Sequence, residues 1–151
     1  MNIYNSDLEI SIRISKILIE FNNVRLNLEH LICIDFLVLN LKDFIPNYNS
    51  LHPAIPRRDT QLAIKRKLFQ DALNLMKNYH LVKEIFSEDG FRYTSSDKTF
   101  SFTNAIQNEY IKDMEKNIIT VKEHFGELSE TNLKLLIASK FGKLDLEITN
   151  A

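Results

Sequence analysis

Residues 82–96 read VKEIFSEDGFRYTSS. Two short runs of alternating apolar and polar residues flank Glu88-Asp89-Gly90, a turn in which glycine makes a positive φ available. The stretch therefore reads as a β-hairpin, with Val82, Ile85 and Phe86 before the turn and Phe91 and Tyr93 after it. Its place among helices decides the fold class.

Upstream, Ser6 caps a helix from about Asp7 to Phe21, and Ile10, Ile14, Ile17, Leu18 and Phe21 give it one apolar face. The segment NNVRLN (22–27) breaks that helix and offers a short extended piece. Asn27 caps a second helix, roughly Leu28 to Phe44, which is apolar on nearly all sides and so central. Pro46 ends it, because the residue before a proline is disfavoured in the α region. After a loop, Asp59 or Thr60 caps a third helix reaching Tyr79, with Leu62, Phe69, Leu73, Met76 and Tyr79 as its core stripe.

Downstream, one long helix is expected from Asp97 to Phe125, with Phe102, Ile106, Tyr110, Met114, Ile118, Val121 and Phe125 as apolar rungs. Steps of four residues drift by ~40° each around a helix of 3.6 residues per turn, so this stripe wraps. Gly126 ends the helix, Ser129 caps a last one, and Gly142 closes it after Phe141.

The order predicts a mainly α protein. A winged helix-turn-helix-like core (1–96) would carry the hairpin as a two-stranded wing, with a C-terminal helical extension (97–151) packed on it. One feature departs from that pattern. A helix-turn-helix turn takes 3–4 residues, whereas the connection from Phe44 to Asp59 is several times longer.

The 151 residues, 44% apolar and 26% charged, suit one compact soluble unit that needs no staples. Cys33 is the single cysteine, which excludes an internal disulfide, and in LICIDFLVL it reads as a small buried apolar residue. Three scattered glycines exclude the Gly-rich nucleotide loops. The N-terminus has no basic region followed by an apolar run, so no secretory signal is expected. LICIDFLVLNL is too short to span a bilayer and contains Asp35. A cytoplasmic protein without membrane contact is expected.

Enzymatic constellations are sparse. His30 and His52 are candidate bases and Asp35 or Asp43 candidate orienting partners, but His30 lies at the edge of a buried face. His80 and His124 sit at helix C-termini, where they complement late carbonyls and the dipole. No two histidines are spaced i, i+4, and no acidic–histidine cluster has metal-ligand spacing. The expectation is a non-enzyme without metal or cofactor.

The basic charge is concentrated. Residues 57–83 hold seven basic against two acidic residues in a chain of net charge −1. Arg58, Gln61 and Lys65 share one polar face at the front of the third helix, and Lys83 and Arg92 lie in the hairpin. These five are candidate nucleic-acid contacts, or equally the solvated face of an amphipathic helix. The acidic tip Ser87-Glu88-Asp89 and a pI of about 6.4 speak against free-standing DNA binding. Just before them stands NSLHPAIPRRD (49–59), which holds two of the three prolines. A loop this stiff loses little entropy on binding. It therefore either presents Leu51, His52, Pro53, Arg57 and Arg58 to a protein partner or braces the fold.

The segments SIRISKILIEF, LICIDFLVLNLKDF, SLHPAIPRRDTQLAIKRKLFQDALNLM and FSEDGFRYTSSDKTFSF occur in the order of a bacterial family. The chain resembles the middle components of ABC-three-component systems, which include the small accessory subunit of Lamassu defence operons. The most specific elements are Ser50, Leu51, His52, Pro53, Pro56 and Arg58, then Glu88, Asp89, Gly90 and Tyr93, and the resemblance covers about residues 8–125. It implies a non-enzymatic subunit encoded between an effector, often a nuclease, and an SMC- or Rad50-like ATPase. The partners would be those two proteins, with DNA reached through the complex. The runner-up is a stand-alone winged-helix transcription regulator.

Overall fold

The computed structural model describes residues 6–52 and 61–141. These form six α-helices and one two-stranded antiparallel sheet.

Helix α1 (Asp7–Glu20) starts where Ser6 Oγ accepts the Glu9 N–H, and α2 (Leu28–Leu39) where the Asn27 side chain accepts the His30 N–H at 2.8 Å. In α2 every residue from Leu31 to Leu39 is buried, so it is the central helix, with Cys33 among them. Burial pushes the Cys33 thiol up to about 12. The helix ends five residues earlier than the proline alone implies. Asn40 turns its side-chain amide back onto the Phe36 carbonyl at 3.1 Å, ending the α geometry. One 3-10 turn, Leu41–Asp43, follows.

Helix α3 spans Gln61–Asn78 and packs against α1 and α2. The caps expected at Asp59 or Thr60, and Gly142 beyond the last helix, lie outside the described residues, as does the Leu62 side chain. Phe69, Leu73 and Met76 are buried as the stripe requires, whereas Tyr79 is 65% exposed. The reason is the helix end. His80 has φ +59°, and the Leu81 and His80 N–H groups bond the Met76 and Lys77 carbonyls in a left-handed cap that turns Tyr79 outward.

Strands β1 (Lys83–Ser87) and β2 (Gly90–Thr94) pair with Phe86 opposite Phe91. Tyr93 exchanges two backbone hydrogen bonds with Leu26, so the extended piece after α1 joins the hairpin as an isolated bridge. Gly90 holds φ +107°, and a Cβ there would meet nothing within 4 Å. Gly90→Ala should therefore cost about 1–3 kcal/mol from backbone strain alone. Urea denaturation checks this, with Asp89→Ala at the open turn expected to lie within about 0.5 kcal/mol of the parent.

The long helix expected from Asp97 to Phe125 is two helices, α4 (Asp97–Asn104) and α5 (Glu109–Phe125). Asn108 is extended, and its side chain accepts the Ile111 N–H at 2.9 Å. The break resets the phase of the wrapping stripe, so Ile111, Met114, Ile118 and Val121 all reach the core together. Helix α6 (Glu130–Phe141) begins where Ser129 Oγ accepts the Asn132 N–H, and it packs on α2. Helices α4 and α5 pack on α1, and one apolar core joins residues from Ile10 to Ile137. No helix among the described residues is long and apolar enough to cross a membrane.

Candidate interaction site

Charged residues on three helices meet inside the protein. Glu9 and Arg13 lie one turn apart on α1, Asp35 is on α2 and Lys65 on α3. The Arg13 guanidinium grips Asp35 through Nε at 2.6 Å and Nη2 at 3.3 Å, and it also binds Glu9. Lys65 Nζ reaches the second Asp35 oxygen at 2.8 Å. Burial alone would push the Asp35 carboxyl up, but Arg13 and Lys65 outweigh it and hold the group at about 2. Burial pulls the Lys65 ammonium below its usual value, against the pull of Asp35. Two carboxylates and two cations balance here.

The loop after α2 closes over this cluster. The Lys42 N–H bonds Ser50 Oγ at 3.1 Å, and the His52 N–H returns to the Leu39 carbonyl at 3.4 Å. From α5, the Asn117 amide donates to the Val38 and Asn49 carbonyls at 3.1 and 3.0 Å. His52 Nε2 lies 2.6 Å from the Tyr110 hydroxyl and 3.1 Å from Glu9 Oε1, with its ring stacked on Tyr110. Tyr110 donates to the same Glu9 oxygen. A neutral ring with its proton on Nε2 satisfies all three groups. Burial first, then the Arg13 charge, pulls His52 down to about 3.

The ring thereby ties the loop to α1 and α5. The sign of its pH dependence follows. Below pH 6.5 the unfolded chain takes a proton at His52 that the folded chain refuses until about pH 3. Stability therefore falls as pH drops through that window, by up to ~1.4 kcal/mol per pH unit for one proton. Unfolding free energies at pH 7, 6, 5 and 4 should show a shallower slope for His52→Gln, whose amide keeps a donor. Equal slopes would remove His52 from the account.

Of the two readings of the loop, presenting or bracing, the described part has the contacts of a brace: His52 is buried and bonded to Glu9 and Tyr110, while Leu51 packs half-buried against the core. Lys65, expected on the polar face of the third helix, is instead 6% exposed and turned to Asp35, because a fully buried carboxylate needs cationic partners. Its neighbours are paired too: Arg66 with Glu29 at 2.9 Å and Lys67 with Asp71 at 3.0 Å. Pro53, Arg57, Arg58 and the Gln61 side chain lie outside the described residues. Lys83 is exposed at the start of β1, and Arg92 donates to the Arg25 carbonyl at 3.1 Å. Of the described nucleic-acid candidates, Lys83 and Arg92 share one face of the hairpin, whereas Lys65 is turned into the interior.

Other surfaces are apolar. Leu8, Leu75, Met76, Tyr79, Leu81 and Phe102 line a groove of about 590 Å³ between α1, α3 and α4. At the hairpin tip Phe86 and Phe91 stand 74% and 51% exposed. The sequence carried a signal for the second feature: two phenylalanines in register across an acidic turn.

A family model described as ABC-three component (ABC-3C) system Middle Component 2 matches residues 3–147. The chain belongs to that family. As a middle component it is one part of a multi-component system and works with protein partners. No curated protein and no solved structure matches it.

Proposed function

We propose that this middle component is a non-enzymatic accessory subunit of an antiphage or antiplasmid defence complex. It would bridge or restrain an effector of nuclease type and an SMC- or Rad50-like ATPase, as in Lamassu-type operons. The family match over nearly the whole chain carries this reading. Its support in the structure is the contrast between surfaces and interior. The polar groups with catalytic potential are bonded to one another beneath the Asn49–His52 loop, while aromatic and aliphatic side chains stand exposed at the hairpin and along α3.

On this reading the first elements form a winged-helix-like core. Helix α1, the Leu26 bridge, α2, α3 and the hairpin follow one another in that order. Contact with DNA is then made by the assembled complex rather than by α3, whose described cations are paired within the chain. Those pairs also weigh against a stand-alone regulator. The test is co-expression with the products of the two flanking genes, one of them expected to be a long coiled-coil ATPase. A stable complex after affinity and size-exclusion steps supports the role. A chain that leaves both proteins in every condition overturns it.

A further inference from the structure

The hairpin is fixed at its root and bare at its tip. At the root Tyr93 is buried, its N–H bonds the Leu26 carbonyl at 2.8 Å, and its hydroxyl bonds Glu84 at 3.1 Å. Lys77 binds Glu84 at 3.0 Å and Arg92 binds the Arg25 carbonyl, so both strands are tied to the helical body. At the tip the Phe86 and Phe91 rings meet edge to face, with centroids 5.3 Å apart. Ser87 Oγ donates to the Gly90 carbonyl at 2.8 Å and holds the turn. Two aromatic rings are thus presented in a set geometry, which lowers the entropy lost on docking. Aromatic side chains in pairs are the usual anchors of protein interfaces.

The charges around the rings say what the partner looks like. Glu88 and Asp89 make the turn between them; Asp89 is largely exposed and lies 3.9 Å from Arg92 Nη2, which leaves the tip with one net negative charge. Carboxylates beside the rings repel phosphate, which disfavours nucleic acid and anionic lipid. A second copy docking tip to tip would bring four carboxylates together. The geometry points to the hairpin tip as a docking element that inserts Phe86 and Phe91 into an apolar slot, rimmed by lysine or arginine, on one of the co-encoded proteins. This rests on the subunit role proposed above.

The experiment uses the full-length chain and the two purified flanking-gene products as probes, with binding measured at low and moderate salt. The wild type is expected to bind one of them, more weakly as salt rises. Phe86→Ser/Phe91→Ser should lose at least 100-fold in affinity while keeping the parental circular dichroism and melting temperature, since both rings are exposed. Glu88→Lys/Asp89→Lys should lose about tenfold and most of the salt dependence. Phe86→Leu/Phe91→Leu should retain most binding. If the serine variant binds as the wild type does, the docking element is wrong while the subunit role stands. If the wild type binds neither probe, both fail. Self-association, or binding to a 30-mer duplex or phosphatidylglycerol vesicles, that the serine variant abolishes would reassign the surface and overturn the proposal.

Discussion

Asp35→Ala should remove a large part of the protein's stability. The substitution leaves Arg13 and Lys65 buried without the carboxylate they share. Breaking a buried ion pair by deleting one partner costs about 3–5 kcal/mol, and here Lys65 loses its carboxylate while Arg13 loses one of two, so the upper end applies. Domains of this size are stable by about 5–15 kcal/mol, so the loss takes from a third to the whole of that and should lower the urea midpoint steeply. Urea denaturation and far-ultraviolet circular dichroism read the loss. The informative control is the triple variant Arg13→Met/Asp35→Leu/Lys65→Met. Replacing a buried ionic cluster by apolar side chains of similar size is often neutral or stabilising, so it should recover most of the loss. In that variant Glu9 keeps only His52 and Tyr110 of the cluster, and the His52 proton uptake should move upward in pH. A stable, cooperatively folded Asp35→Ala chain would show that the cluster does not hold the helices together.

Phe36→Ala should cost about 3–5 kcal/mol for the lost apolar burial and the cavity left behind. Phe36 is 1% exposed at the centre of α2, and its ring meets Phe44 edge to face at 6.3 Å between centroids. Because α2 is buried on all sides, neighbours cannot close the void without moving α3, α5 or α6. Phe36→Leu should cost under about 1.5 kcal/mol. Leu135→Ala on the exposed side of α6 should fall within about 0.5 kcal/mol. Urea midpoints with unchanged slopes check all three, and a Phe36→Ala midpoint near the parent's would place the core elsewhere.

Local features of the site and fold were legible where the cause lies within a few residues. Ser6 and Asn27 cap α1 and α2 because a short polar side chain before an apolar run satisfies free helix N–H groups. Glu88-Asp89-Gly90 turns the hairpin because only glycine adopts φ +107° without strain. The division of the long helix was also local in cause, since Asn108 caps α5, yet the continuous apolar rungs on either side of it hid the break.

The charged cluster was half visible. Arg13 in ISIRISKIL and Asp35 in LICIDFLVL are charges inside apolar faces, and such charges require partners. Which partners they take was not legible. Asp35 binds Arg13 across 22 residues and Lys65 across 30, and His52 meets Glu9 across 43 and Tyr110 across 58. On a helical wheel Lys65 belongs to a polar face, and only the approach of α3 to α2 turns it inward.

By itself, then, the sequence determined where α1, α2 and α6 begin, the hairpin, the central place of α2 and a stiff loop after it, because caps, turns and periodicity act between residues one to four apart. The tertiary structure decided that the loop's histidine braces the interior, that Lys65 balances Asp35, and that Phe86 and Phe91 stand bare beyond the helical body. Those outcomes depend on how elements distant in the chain pack, and packing is set by all the apolar faces at once.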